Sequence, residues 1–153
     1  MLKSLKALFD TASVDTRAIP GLERRQLQVA VAQLLLEAGR ADYEKSDDEF
    51  SAAKTALVEI FGLDLRESAA LLEQGREKAR QLTSLHAPLT VIKREFSIEN
   101  RIHLVEHLWR IVFADGQLHF YEDHYVRKIA HLLYIPNTQT MLARNRAKLP
   151  ASH

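Results

Sequence analysis

Two short acidic segments with the same spacing contain the residues of this chain that are best suited to chemistry. Asp42 and Glu49 stand seven residues apart, and Asp115 and Glu122 repeat this arrangement after an offset of 73 residues. An alanine precedes the aspartate in both segments. Self-similarity at a fixed offset is the sequence signature of a repeated structural unit. We therefore predict two copies of a helix–acidic turn–helix unit.

The first acidic segment predicts a site for a divalent cation. Residues 42–49 contain five carboxylates against one base, Lys45, and hard cations such as Ca²⁺, Mg²⁺ and Mn²⁺ prefer oxygen ligands. The segment is not an EF-hand, because Asp47 stands where that loop needs glycine and Ala53 where it needs glutamate. The predicted ligands, taken from both turns, are Asp42, Glu44, Asp48, Glu49, Asp115 and Glu122.

Helix capping is the alternative interpretation of the same acidic residues. Ser46 and Glu49 have the spacing of a capping box, in which each side chain accepts a hydrogen bond from the backbone N–H of the other residue. His119 and Glu122 repeat this spacing with a poorer cap. Carboxylates in a first turn also interact favourably with the helix dipole, by roughly 0.3–1 kcal/mol each. The sequence alone leaves both interpretations open.

A second motif with chemical potential is His103-Leu-Val-Glu106-His107, the H-x-x-E-H order found in one class of zinc proteases. The two histidines share one face of a helix, and imidazole is a good ligand for zinc, nickel and copper. Such an enzyme also needs a third protein ligand far downstream, and the sequence ends at residue 153. We therefore expect a protein that is not an enzyme. The alternative is a metal-dependent hydrolase or protease that uses His103, Glu106 and His107.

Helices must position these residues, because apolar side chains recur at helical spacing nearly throughout the chain. Glycine and proline are scarce, at 5 and 4 residues. We predict an all-α, single-domain bundle of about six or seven helices with an internal pseudo-repeat of helix–acidic turn–helix. Asp64 with Glu67, and Ser97, are predicted helix caps. The predicted helices cover approximately residues 27–38, 50–60, 64–72, 88–96, 98–112, 126–133 and 138–147.

The apolar residues of the two copies share one register at the 73-residue offset. This match favours duplication of a helical hairpin over chance similarity between amphipathic helices. It also predicts that residues 27–60 superpose on residues 100–133. The matched pairs are Val31 with Leu104, Leu35 with Leu108, Ala38 with Ile111, Ala53 with Val126, Leu57 with Ala130 and Ile60 with Leu133.

Composition excludes several classes of protein. The formal net charge is +1, which argues against a general nucleic-acid binder. The bases Arg144, Arg146 and Lys148 are accordingly expected to form a solvated helix face. The chain has no cysteine, so disulfides and thiolate metal sites are excluded. No apolar run has transmembrane length, and a cytoplasmic location is expected.

The N-terminus is predicted to be a separate segment, residues 1–21, ahead of a helical domain at 22–147 and a tail at 148–153. In this segment Leu2, Leu5, Leu8 and Phe9 are set against Lys3 and Lys6, which is the pattern of a short amphipathic helix. The segment is too short for a secretion signal. Nine residues bind a membrane weakly on their own, so we expect this helix to dock on the domain.

The most distinctive stretches surround the second acidic turn. They are Leu-Trp-Arg-Ile-Val-Phe-Ala-Asp-Gly at 108–116, Tyr-Glu-Asp-His at 121–124 and Arg-Lys-Ile-Ala-His-Leu-Leu at 127–133. With these stretches the chain resembles the TerB family, the tellurite resistance protein B group, over roughly residues 22–147. The superfamily includes the N-terminal region of the co-chaperone DjlA. The first copy matches more loosely, with Tyr43 where the family often has glycine.

This resemblance implies an all-helical bacterial protein of the cytoplasm that is associated with the tellurite or metal stress response. It also implies action through protein partners, in complexes at the inner membrane, without insertion into the membrane. Acidic residues of the family are thought to bind divalent cations. By match of motif these residues are Asp42, Glu49, Asp115 and Glu122 here.

Overall fold

The computed structural model of the protein describes residues 21–38, 47–81, 84–114 and 120–148. These residues form seven α-helices and no β-strand, which confirms the predicted all-α, single-domain bundle. The predicted helix of residues 1–9 and the tail at 149–153 lie outside the described residues. The helices are α1 (Gly21–Ala38), α2 (Asp47–Phe61), α3 (Leu65–Gln81), α4 (His86–Glu95), α5 (Ile98–Val112), α6 (Phe120–Leu132) and α7 (Asn137–Lys148).

Local capping chemistry explains where two of the helices begin. At the start of α3 the backbone N–H of Glu67 donates to Asp64 Oδ1 at 2.7 Å, and that of Asp64 donates to Glu67 Oε1 at 3.2 Å. At the start of α5 Ser97 Oγ accepts a backbone hydrogen bond at 3.2 Å. Both predicted caps are confirmed. Helix α4 begins at His86, so Pro88 lies in its first turn, where a missing N–H costs little.

Helix α1 lies at the centre of the bundle and packs against α2, α3, α4, α5 and α6. Between residues 27 and 38 every side chain is buried except Val29 and Glu37, which are half-buried. The apolar spacing predicted this helix but did not reveal this enclosure. A close approach to α3 contributes to it: a Cβ on Gly75 would lie 2.9 Å from Ala32 Cβ, so only glycine fits there without a shift.

The order of the helices is consistent with the predicted repeat. Helices α1, α2 and α3 are followed, after α4, by α5, α6 and α7, and α1 packs on α3 as α5 packs on α7. All twelve residues of the six apolar pairs matched at the 73-residue offset are buried in the core. The two copies therefore share their buried register, and their superposition stays a prediction.

Among the described residues, no helix is both long enough and apolar enough to cross a membrane.

Candidate functional site

The predicted cation ligands are only partly within the described structure. Asp48 and Glu49 fall in the first turn of α2, and their side chains are outside the described set. Glu122 lies in the first turn of α6 and is fully buried. The cation site therefore stays a prediction. The remaining predicted ligands lie outside the described residues: Asp42, Glu44 and Asp115.

One hydrogen bond joins the two helices that adjoin the acidic turns in the sequence. The Tyr125 hydroxyl, on α6, donates to the Leu34 carbonyl, on α1, at 2.9 Å. Leu34 is four residues before the end of α1, which leads into the first acidic turn, and Tyr125 is five residues after the start of α6, which follows the second turn. At 1.5 Å per residue, both helix ends lie within about 8 Å along the axis from this bond. The end of α1 and the start of α6 therefore lie at the same end of the bundle, here called the acidic end.

The described part of the acidic end contains Glu37, Glu122 and Tyr125. Burial raises the pKa of Tyr125 well above its usual value, and the nearby carboxylate of Glu37 raises it further. The phenol therefore stays neutral and keeps the proton that it donates to Leu34. Sequence reasoning missed Glu37 and Tyr125. The spacing of Tyr125 from Glu122 was the available signal, because residues three apart share a helix face.

The H-x-x-E-H residues lie in α5, and their carboxylate is already held by two arginines. Glu106 is 8% exposed. Its Oε2 accepts from Arg110 Nη2 at 2.6 Å, and its Oε1 accepts from Arg146 Nε, on α7. Hydrogen bonds between charged groups are among the strong ones in proteins. Glu106 therefore connects α5 to α7 through Arg146.

The two histidines of this motif also have structural surroundings. His107 is buried, with Nε2 3.6 Å from Glu59 Oε2 on α2. His103 is half-buried, and its burial lowers its pKa below 6.5, with Glu106 opposing the shift. Within the described residues no group of three histidine, aspartate or glutamate side chains is placed to hold a metal ion. The motif thus forms a polar cluster that ties α2, α5 and α7 together.

The predicted solvated face of Arg144, Arg146 and Lys148 is wrong for Arg144. Its side chain is 19% exposed, and its guanidinium lies 5.5 Å from the ring centre of Trp109 and 5.7 Å from that of Phe113. Trp109 is fully buried, and its Nε1 donates to the Thr140 carbonyl at 3.2 Å. Aromatic rings attract guanidinium groups over their faces. These contacts pack α7 against α5. The sequence of α7 alone did not reveal this packing.

Comparison with known protein families identifies the family of this chain. The sequence profile described as tellurite resistance protein TerB matches residues 28–145, which is most of the chain. The chain belongs to the TerB family. The match extends over both acidic turns and the polar cluster of α5, so it confirms the resemblance seen in the sequence.

A solved structure supports the fold of this TerB protein. It is similar to the crystal structure of a protein of unknown function from Porphyromonas gingivalis W83, with 19% identity and a TM-score of 0.61. The similarity covers 82% of this chain and 89% of the other chain. At this level of identity the likeness shows a shared fold alone. Among curated proteins no sequence matches this chain.

Proposed function

We propose that this TerB protein is a non-enzymatic helical binding module that takes a divalent cation at its acidic end. The cation is Ca²⁺, Mg²⁺ or Mn²⁺. The proposed role is in the stress response to tellurite, to which the family name refers, or to metals. The observation that carries the proposal is the hydrogen bond from Tyr125 to Leu34. It relates two acidic segments that are 73 residues apart in the sequence to one end of the bundle.

The first acidic turn is the main site in this proposal. Residues 42–49 contain five carboxylates and one base. Crowded carboxylates repel one another, so a bound cation relieves an electrostatic repulsion that is present in the metal-free protein. The second turn offers less. Asp123 is already engaged by Arg127 at 2.7 Å and by Arg144 at 3.6 Å. The protein's own bases thus compete with a cation at the second turn.

The polar cluster of α5 supports a non-enzymatic role. A hydrolase or protease would use Glu106 as its base, but two guanidinium groups bind that carboxylate. His107 lies beside Glu59, so the cluster uses its charges to hold helices together. The hydrolase alternative would require release of Arg110 and Arg146 before Glu106 could accept a proton.

Protein partners, in the cytoplasm and at the inner membrane, are the proposed targets of this module. Phe120 and Tyr121 begin α6 and are 79% and 75% exposed. They follow the second acidic turn directly, and their rings meet edge to face at 6.1 Å. Exposed aromatic side chains are typical anchors of protein interfaces. A net charge of +1 gives no general attraction to nucleic acid.

Calorimetric titration of the metal-free protein with Ca²⁺, Mg²⁺ and Mn²⁺ tests this proposal, with Zn²⁺ as the parallel probe of the histidine pair. We expect saturable heat with at least one hard cation. If no heat above dilution appears at millimolar metal, the acids are helix caps and the cation proposal is wrong. Saturable heat with Zn²⁺ alone, lost in His103→Gln, would favour the hydrolase alternative.

A further inference from the structure

A groove of about 580 Å³ lies between α1, α3 and α4. One wall comes from the middle of α1, between Arg25 and Gln33, and the others come from the end of α3 and the start of α4. At its rim Arg25 Nη2 donates to Gln74 Oε1, which joins α1 to α3. The apolar part of the lining consists of Val29, Ala30, Ala87, Pro88 and Val91.

Gln33 lines the groove and has a polar atom that needs a partner. The side chain is 5% exposed, and within the described residues its Nε2 has no hydrogen-bond partner. Buried donors nearly always find an acceptor, and an unsatisfied one is costly. The equivalent position in the second copy, Glu106, is satisfied by Arg146 from α7. The occupant of this groove should therefore bring both apolar side chains and a hydrogen-bond acceptor.

We propose that residues 1–9 of this chain occupy the groove as a short amphipathic helix. Leu2, Leu5, Leu8 and Phe9 fall within one arc of a helical wheel, which suits the apolar lining, and Lys3 lies outside this arc. The last turn of any helix leaves backbone carbonyls without partners. Such a carbonyl supplies the acceptor that the Gln33 amide lacks.

The connection between this segment and the groove is short enough to favour docking within the chain. Residues 10–20 link Phe9 to the start of α1, and 11 residues reach at most about 35 Å. The lining of the groove begins at Arg25, one turn into α1. A tether of this length holds the segment at high effective concentration over the groove, compared with a separate molecule. This docking is independent of the proposed cation site.

A single spin label tests the position of the segment, because the chain has no cysteine of its own. Lys6→Cys in the full chain carries a nitroxide beside the apolar arc, and backbone amides are observed by NMR against a diamagnetic label. We expect the Val29, Ala87 and Val91 amides to lose intensity, while Tyr121 and Leu142 keep theirs. The double substitution Leu5→Asp with Leu8→Asp, in the same labelled chain, should restore the groove signals.

Other patterns overturn the proposal. Uniform broadening, or groove amides that keep full intensity, would mean that residues 1–9 do not occupy the groove. Signal loss in a mixture of spin-labelled chain and separately isotope-labelled chain would assign the groove to the segment of a second copy. Loss at the groove that persists in the Leu5→Asp, Leu8→Asp chain would show that the apolar arc does not hold the segment.

Discussion

The two helix pairs of this TerB protein share their buried register and differ in how one matched pair of buried polar residues is hydrogen-bonded. Gln33 on α1 and Glu106 on α5 are separated by the 73-residue offset, and both are buried. Glu106 binds Arg110 and Arg146, whereas the Nε2 of Gln33 has no hydrogen-bond partner among the described residues. The motif that suggests chemistry in the sequence is therefore satisfied internally. The uncharged position in the other copy is the one that faces a groove.

The two acidic turns also differ in the bases that accompany their carboxylates. Residues 42–49 have one lysine among five carboxylates, whereas Asp123 beside the second turn has two arginines. In the second copy α7 thus supplies Arg144 and Arg146 to carboxylates of α6 and α5. The proposed cation site therefore belongs to the first copy, whereas in the second copy arginines of α7 bind carboxylates of α5 and α6.

The largest effect is expected at matched core positions. Leu35 and Leu108 are both fully buried, so Leu35→Ala and Leu108→Ala should each lower the free energy of unfolding by about 2–5 kcal/mol. Urea melts measure both, with exposed Leu142→Ala as the control. A large loss at one position with tolerance at the other would contradict the equivalence of the two copies.

Substitutions at the matched polar positions Gln33 and Glu106 should lower stability by different amounts, unlike those at the matched core positions. Glu106→Leu should lower the free energy of unfolding by about 1–3 kcal/mol, because Arg110 and Arg146 lose a charged acceptor. Their side chains are 40% and 44% exposed, which keeps the cost in the lower part of that range. Gln33→Leu should cost less than Glu106→Leu. A greater loss of unfolding free energy for Gln33→Leu than for Glu106→Leu in urea melts would contradict this expectation.

A smaller effect tests the capping interpretation of the first acidic turn. Ser46→Ala should lower the free energy of unfolding by about 1 kcal/mol if Ser46 caps α2. Ser97→Ala is the matched control, because its hydroxyl visibly accepts a backbone hydrogen bond at the start of α5. A loss at Ser97 with none at Ser46 would show that Ser46 is not a cap.

The smallest expected effect concerns pH and the polar cluster. Burial lowers the folded-state pKa of His103 below 6.5, the value for an exposed histidine. Between these two pKa values the unfolded chain binds more protons, so stability rises with pH. The contribution is complete above pH 6.5 and is lost as pH falls through the folded pKa. His103→Gln should flatten this part of a plot of urea midpoint against pH, and an unchanged slope would refute the assignment.

Local patterns in the sequence predicted much of the fold. The helical spacing, the capping pair Asp64–Glu67 and the cap at Ser97 depend on neighbouring residues, so they are visible in the sequence. The central place of α1 was missed, because it results from five helices packing around it. Gln28 and Gln33 lie among its buried residues, and a polar side chain in the sequence normally indicates an exposed face.

Partners distant in sequence account for what was missed at the candidate sites. The hydrogen bond from Tyr125 to Leu34 spans 91 residues, and the contact between Arg146 and Glu106 spans 40. Neither pair has a local signature. The spacing of the H-x-x-E-H motif alone suggests a metal site. In the structure Arg110 of α5 and Arg146 of α7 bind its glutamate, which gives the motif a structural role.

Metal titration of two double variants tests the central claim most directly. Asp42→Asn with Asp48→Asn removes two carboxylates from the first turn, and Asp115→Asn with Asp123→Asn does the same beside the second. Affinity for hard cations rises with the number of carboxylates, so the first variant should lose more Ca²⁺ or Mn²⁺ affinity in calorimetry than the second. Equal losses would indicate one site shared between the turns, and unchanged binding in the first variant would contradict the account.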